Sequence, residues 1–221
     1  MTPDWLDRIF ADKDLLRMGH VQRAEDRNLG LGWVYYALAR LYRPRCAVCI
    51  GSYRGFVPMT IARGMADNSE GGELHFIDPS FVDDHWKDPA RVKAWFAAFD
   101  LHNIRHHRAT TQEFAQSDAF DALGTVDMLF VDGMHTEEQA RFDHETFLPK
   151  MGPEALALFH DSLTERSSAI YGNGNAYHYS VRRYLDTLEA DAAWQLFDFP
   201  FADGFTMVRR AGKTPIKGTR S

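Results

Sequence analysis

Short apolar runs alternating with amphipathic stretches constrain this chain more than any other feature. CAVCI (46–50), ELHFID (73–78), IRHHRA (104–109), VDMLFVD (126–132) and ALALFHD (155–161) alternate with helical patterns such as GSYRGFVPMTIARGM, DPARVKAWFAAFDL, TQEFAQ and TEEQARFDHETFLPKM. Strands this short and this continuously apolar belong to a mostly parallel sheet covered on both faces; a sheet with one wet face would alternate polar and apolar positions. The order strand, helix, strand, helix therefore predicts a Rossmann-like, doubly wound α/β fold of three layers, α/β/α. The last two runs, WQLFDF and GFTMVRR, are joined by PFADG and predict an antiparallel hairpin at the sheet edge. The helix YSVRRYLDTLE precedes them.

Residues 1–28 read as amphipathic helix with Trp5, Ile9, Leu15 and Leu16 on its apolar face, and LGWVYYALARLY reads as a second helix ending before Pro44. A helical cap over residues 1–30 is expected. At 221 residues and 45% hydrophobic content the chain is long enough for one sizeable core, so a single domain over 1–221 is expected, with the basic tail 212–221 frayed. A net charge of −6 with scattered Lys and Arg gives no footprint for nucleic acid. No run approaches the roughly 20 apolar residues that cross a bilayer, and the charged start MTPDWLDRIFADK is unlike a signal sequence, so no membrane partner and a cytoplasmic location are expected. A homo-oligomer is compatible with the sequence. Cys46 and Cys49 form a CxxC, but inside a strand residues three apart face opposite ways, and no second CxxC completes a metal site. Ordinary core cysteines are expected.

Ligands of open α/β sheets sit beyond the carboxyl ends of the strands. Those ends carry GSYRG, Asp78, TTQE, Asp132 with His135, and His160 with Asp161. In GSYRG, Gly51 and Gly55 bracket a turn opening a helix, whose free N–H groups favour an anion. A dinucleotide needs GxGxxG, and its second glycine is here Tyr53, which argues against NAD. Asp78 ends the second strand, where an acid accepts hydrogen bonds from ribose hydroxyls; the plainer reading, with Pro79 following, is a turn cap.

Taken together, CIGSYRGFVPMTIA, GELHFIDPSF, VDMLFVDGMHTEEQARFDHETFLPKMGPEALALFHDS and DGFTMVRR make the chain resemble a class I S-adenosylmethionine (SAM)-dependent methyltransferase. The nearest group is that of the small bacterial O-methyltransferases related to the macrocin and cephalosporin-tailoring enzymes, and the resemblance spans most of the chain. It implies methyl transfer to a hydroxyl of a small molecule such as a sugar or secondary metabolite. It further implies that the loop of Gly51, Ser52, Tyr53 and Gly55 holds the methionine end of SAM, Asp78 the ribose, and Thr111 or Gln112 the adenine edge, with Asp132 alongside. One departure stands out: such enzymes carry an acid two residues before the first glycine, and here that position is Cys49.

Methyl transfer to oxygen needs the attacking hydroxyl aligned and deprotonated. His135, one step past Asp132 and Gly133, is a candidate base, its plainer role being to cap the helix starting at Thr136. Asp132, His160 and Asp161 form a candidate metal set, oxygen ligands suiting Mg²⁺ and an added imidazole shifting the preference towards Mn²⁺ or other transition metals. The same acids serve equally well as acceptors for backbone N–H groups. His75, His106, His107 and His144 have no compelling partner in sequence. TERSSAIYGNGNAYHY reads as an aromatic lid over the acceptor, with Tyr177 and His178 as contacts, and Phe81 and Trp86 as walls. Two other readings are a SAM-fold scaffold without catalysis, suggested by Cys49, and an NAD oxidoreductase, weakened by Tyr53.

Overall fold

A computed structural model of the chain describes residues 1–16 and 20–212. In chain order the elements are α1 (Pro3–Ala11), α2 (Leu31–Tyr42), β1 (Cys46–Ile50), α3 (Phe56–Asp67), β2 (Glu73–Ile77), α4 (Pro89–Ala97), β3 (Ile104–His107), α5 (Thr111–Phe114) and α6 (Asp118–Asp121). They continue with β4 (Val126–Val131), α7 (Glu137–Phe147), β5 (Met151–His160), β6 (Ser167–Ser168), β7 (Tyr177–His178), α8 (Val181–Glu189), β8 (Trp194–Phe199) and β9 (Phe205–Arg210). Seven strands form one sheet in the order β3-β2-β1-β4-β5-β9-β8. The first five are parallel, and β9 pairs antiparallel with both β5 and β8. Mostly parallel, with an antiparallel edge hairpin, the sheet matches the expected Rossmann-like fold.

Period-two alternation sorts the strand side chains into two cores. Ala47, Cys49, Leu74, Phe76, Met128, Phe130, Leu156 and Leu158 bury against Trp5, Ile9, Tyr35, Ala39, Met59 and Phe96, from α1 to α4. Val48, Ile50, Ile77, Leu129, Val131, Ala157 and Phe159 bury against Phe114, Ala140, Phe147, Tyr184 and Leu185, from α5, α7 and α8. Both faces are covered, which is why the strands read as unbroken apolar runs. Cys49 belongs to the first core and Cys46 packs on the second, so the two free thiols face opposite layers, as expected.

Two expectations need correction. Among the described residues, the helix expected over 1–28 covers only Pro3–Ala11: Asp12 takes the next N–H groups of Asp14 and Leu15 on its side chain, and Arg23 and Asn28 form an isolated bridge. Trp5, Ile9 and Leu15 are nonetheless buried, with Trp5 Nε1 donating to the Phe99 carbonyl at 2.9 Å. Secondly, the loop read as a lid contains a small antiparallel hairpin, β6 with β7, that no apolar pattern announced. The tail expected to fray lies, from residue 213 onward, outside the described residues.

α5 is four residues long and depends on its cap. Thr110 Oγ1 accepts from the Glu113 N–H while Glu113 Oε2 accepts from the Thr110 N–H at 2.8 Å, a complete capping box. Thr110→Ala is expected to cost about 1 kcal/mol and to lower the melting temperature by roughly 2–4 °C, read by thermal circular dichroism.

Candidate active site

The strand order reverses between β1 and β4, and the ends of these two strands almost touch. Gly51 has φ +69°, and a Cβ there would lie 2.4 Å from the Asp132 carbonyl oxygen and 2.8 Å from Gly133 Cα. Only glycine fits this approach. Beyond it opens a cavity of about 880 Å³ lined by, among others, Gly51, Ser52, Tyr53, Asp78, Thr111 and Gln112. Asp132, His135, His160, Asp161 and Tyr177 line it too. Residues that the sequence scatters from 51 to 177 thus share one wall system.

At one end the turn after β1 is pinned. Trp86 Nε1 donates to the Tyr53 carbonyl at 2.9 Å, the Arg54 guanidinium lies over the Tyr53 ring at 4.1 Å, and Arg54 pairs with Asp83 at 2.6 Å. Tyr53 itself sits at φ 33°, a left-handed conformation that costs a non-glycine residue energy and recurs at functional sites. Cys49 donates its thiol to the Gly51 carbonyl at 3.4 Å, and burial pushes that thiol well above its usual pKa, so it stays neutral where an acid was expected. Asp78 Oδ1 accepts the Ser80 N–H at 2.7 Å, closing the turn weighed from sequence, and the residue also lines the cavity. Burial raises its pKa to about 6 against the pull of hydrogen bonds from the Ser80 and Ser52 backbone. Further along, Gln112 Nε2 donates to Gln139 at 3.0 Å, and Gln139 Nε2 to Asp143 at 2.7 Å. Asp143 is fully buried, Oδ2 lacks a hydrogen-bond partner, and burial raises its pKa to about 6.

At the other end the groups are charged. Asp132 Oδ1 lies 3.0 Å from His160 Nδ1 and 3.4 Å from His135 Nε2, and Asp161 Oδ2 lies 3.5 Å from the same Nε2. Burial alone would favour neutral forms, but the Asp132 carboxylate overrides it and raises the His160 pKa to about 9. Burial likewise opposes ionisation of Asp132, yet His160 foremost, then His135, hold it well below the usual carboxylate range. The pair is therefore ionised at neutral pH. Their approach is off-line for hydrogen bonding: neither ring nitrogen of His160, nor His135 Nε2, has a hydrogen-bond partner. His135 Nδ1 faces the Tyr177 hydroxyl at 3.4 Å. Among the described residues Asp132, His135 and His160 form a group whose ligand atoms fall within 4.8 Å of one another.

Comparison with known proteins assigns this architecture. The model of the family described as "Methyltransferase domain" matches residues 48–162, just over half of the chain, from inside β1 to just past β5. The chain belongs to that family. An uncharacterized protein, y4gI, of Sinorhizobium fredii (strain NBRC 101917 / NGR234) is 26% identical over 138 residues, 59% of this chain. The chain spans about 14% of the length of that curated relative. The O-methyltransferase TomG of Streptomyces achromogenes, solved with SAM, superposes with a TM-score of 0.63 over 96% of this chain and 92% of its own at 18% identity. An O-methyltransferase of Bacillus cereus, solved with SAH, gives 0.65 over 96% and 92% at 16% identity. These likenesses establish the class I methyltransferase fold. The narrower kinship to macrocin and cephalosporin-tailoring enzymes rests on the sequence resemblance alone.

In this methyltransferase-family domain two sequence-derived site residues fall outside the cavity lining. Gly55, at φ +87°, opens α3, and a Cβ there would press on Trp86 at 3.1 Å; it shapes packing behind the loop. His178 is exposed, with Ser167 at 3.4 Å and Glu165 at 3.7 Å, because Tyr177 and His178 alternate across the hairpin and only the tyrosine faces inward. The other histidines, for which the sequence showed no compelling partner, lie outside the cavity lining: His75 pairs with His107 at 3.0 Å, and buried His144 with Tyr184 at 2.7 Å. Sequence reading missed His20, Asp143 and Arg166. Buried His20 packs on the His160 ring at 4.5 Å, and burial lowers its pKa to about 3. Arg166 reaches Asp161 at 3.5 Å and Asp203 at 2.9 Å. Only Asp143 left a trace in sequence, its i, i+4 spacing from Gln139 on α7.

Proposed function

We propose that this methyltransferase carries a methyl group from SAM to a hydroxyl oxygen of a small-molecule acceptor, such as a sugar or a tailored secondary metabolite. The observation that carries the reading is that Gly51, Asp78 and the Asp132–His135 pair open onto one cavity. A glycine cradle and a buried acid fit the methionine and ribose parts of SAM, and Thr111 and Gln112, which line the same cavity, offer polar groups suited to an adenine edge. Relatives of the same fold described with SAM or SAH support that choice. When bound, SAM supplies an electrophilic methyl on a sulfonium.

The residues of the chain do the remainder. Asp132 and Asp161 face His135 Nε2, which favours the proton on that nitrogen and leaves Nδ1 as the acceptor. As the acceptor oxygen bonds to the methyl carbon and the carbon–sulfur bond breaks, the hydroxyl proton passes to Nδ1. A scaffold without catalysis would have no use for a buried, ionised Asp132–His160 pair at the strand ends, since burying charge is costly.

A second reading is favoured by the three buried imidazole nitrogens without partners beside the Asp132 carboxylate. One carboxylate and two imidazoles suit Mn²⁺ or a similar ion better than Mg²⁺. Asp132, His135 and His160 would hold it, with Asp161 beside the two imidazoles, and it would polarise the acceptor hydroxyl. The test of function is incubation of acceptor pools with methyl-labelled SAM, with and without EDTA. Labelled product in both arms is the expected result. Product lost to EDTA and restored by Mn²⁺ would replace the base reading by the metal one, and SAM binding without product from any hydroxylated pool would overturn the O-methyl assignment.

Asp78 adds a pH signature. Ribose hydroxyls donate to it, so its charged form binds better, and that form is lost as pH falls through about 6. SAM affinity is expected to be flat above that pH and to fall by about tenfold per unit below it, a slope that calorimetry should find absent in Asp78→Asn.

A further inference from the structure

Tyr177 and Tyr179 of the loop after β5, with Ser180 at the start of α8, converge on His135. The Tyr179 ring stacks on the imidazole at 4.5 Å and 18°, the Tyr177 hydroxyl lies 3.4 Å from Nδ1, and the Ser180 N–H donates to the His135 carbonyl at 2.8 Å. Ser180 Oγ also accepts the Glu137 N–H at 2.9 Å, so the same segment fastens the start of α7. On the other side Nε2 meets Asp132 and Asp161. The imidazole is thus clamped between two carboxylates at the sheet and one stretch of lid.

We propose that Tyr177 and Tyr179 are positioning residues that set the ring plane and tautomer of His135, so that the lid and the proton acceptor act as one unit. This rests on the methyl-transfer reading above and adds what holds its base. The carboxylates favour N–H at Nε2; the Tyr177 O–H then donates to the Nδ1 lone pair and holds the place an acceptor hydroxyl takes. Tyr179 fixes the plane. It is itself held by the Arg166 guanidinium, 4.3 Å from its centroid and anchored to Asp203. The stack runs on through Tyr177, 5.5 Å away, to Tyr171, 5.9 Å further, which meets exposed Phe81 edge-on at 6.5 Å. A molecule entering past Phe81 touches the same rings that hold the base.

The test is imidazole ¹⁵N NMR of the intact protein at pH 8.5 without added metal, His135 being assigned from the signals lost in His135→Gln. Wild type is expected to show the Nε2–H tautomer, Tyr177→Phe to shift the balance towards Nδ1–H, and Tyr179→Leu to disperse the ring signals, with recovery in Tyr179→Phe. Unchanged His135 signals in Tyr177→Phe and Tyr179→Leu, or an Nδ1–H tautomer in wild type, would overturn the proposal. SAM titrations of the same samples keep the two readings apart: absence of binding to wild type would count against the cofactor assignment, while the tautomer shifts would still decide this one.

Discussion

Replacing His135 by alanine is expected to lower turnover by roughly 10²–10⁴-fold, the usual range for loss of a positioned general base, with SAM affinity changed by no more than about threefold. The two effects separate because His135 belongs to the cluster with Asp132, Asp161 and Tyr177, whereas the proposed cofactor side is the glycine turn, Asp78, Thr111 and Gln112. The variant should fold: the side chain is nearly buried, but it lines a cavity and fills no core position. Rate constants from a labelled-methyl assay, paired with calorimetric Kd values for SAM, make the comparison. Turnover within a factor of a few of wild type would remove His135 from the chemistry, both as base and as a ligand of the metal reading, and leave proton removal to solvent.

Gly51→Ala is expected to have the second large effect, on binding. Positive φ costs a Cβ-bearing residue about 1–2 kcal/mol, and the new methyl would stand 2.4 Å from a backbone carbonyl that has no rotamer with which to escape. Either β1 and β4 separate at the switch point or the turn lifts into the cavity, and both displace the surface proposed to receive the methionine end. SAM affinity should fall by roughly 100-fold, about 2.7 kcal/mol, with a lowered melting temperature. An alanine variant that binds SAM as wild type does would show that the cofactor lies elsewhere.

How much of this could be read beforehand follows from where the information sits. β1, β4 and β5 were legible because a strand buried on both faces has no choice but continuous apolar residues, and their polar stops at Gly51, Asp132 and His160 marked the ligand edge. Asp78, Thr111 and Gln112 followed from the same rule. The N-terminal segment was misread because the Asp12 turn satisfies backbone N–H groups locally, so the helical period outlasts the helix. His20 and Arg166 were invisible for a different reason: each reaches the cluster through tertiary packing, 140 and 6 residues from His160 in sequence, with no periodic signal. The lid announced its tyrosines by composition but not their alternation. Only the pairing of β6 with β7 turns Tyr177 inward and His178 out.

Cys49 is the point at which family resemblance and structure meet least comfortably. Its thiol is neutral and already donates to the Gly51 carbonyl, so it offers the SAM amino group no charge. Among the described residues the anions acting on that strand end are Asp132, held well below the usual carboxylate range, and Asp78, charged above a pH of about 6, and both line the same cavity. The central claim, that this cavity is a SAM site despite the missing acid, is tested most directly by calorimetric titration of the wild-type protein with SAM and, separately, with NAD. The account predicts saturable 1:1 heat with SAM, none with NAD, and a much weaker SAM isotherm in Gly51→Ala. Heat from NAD, or no heat from SAM, would contradict it.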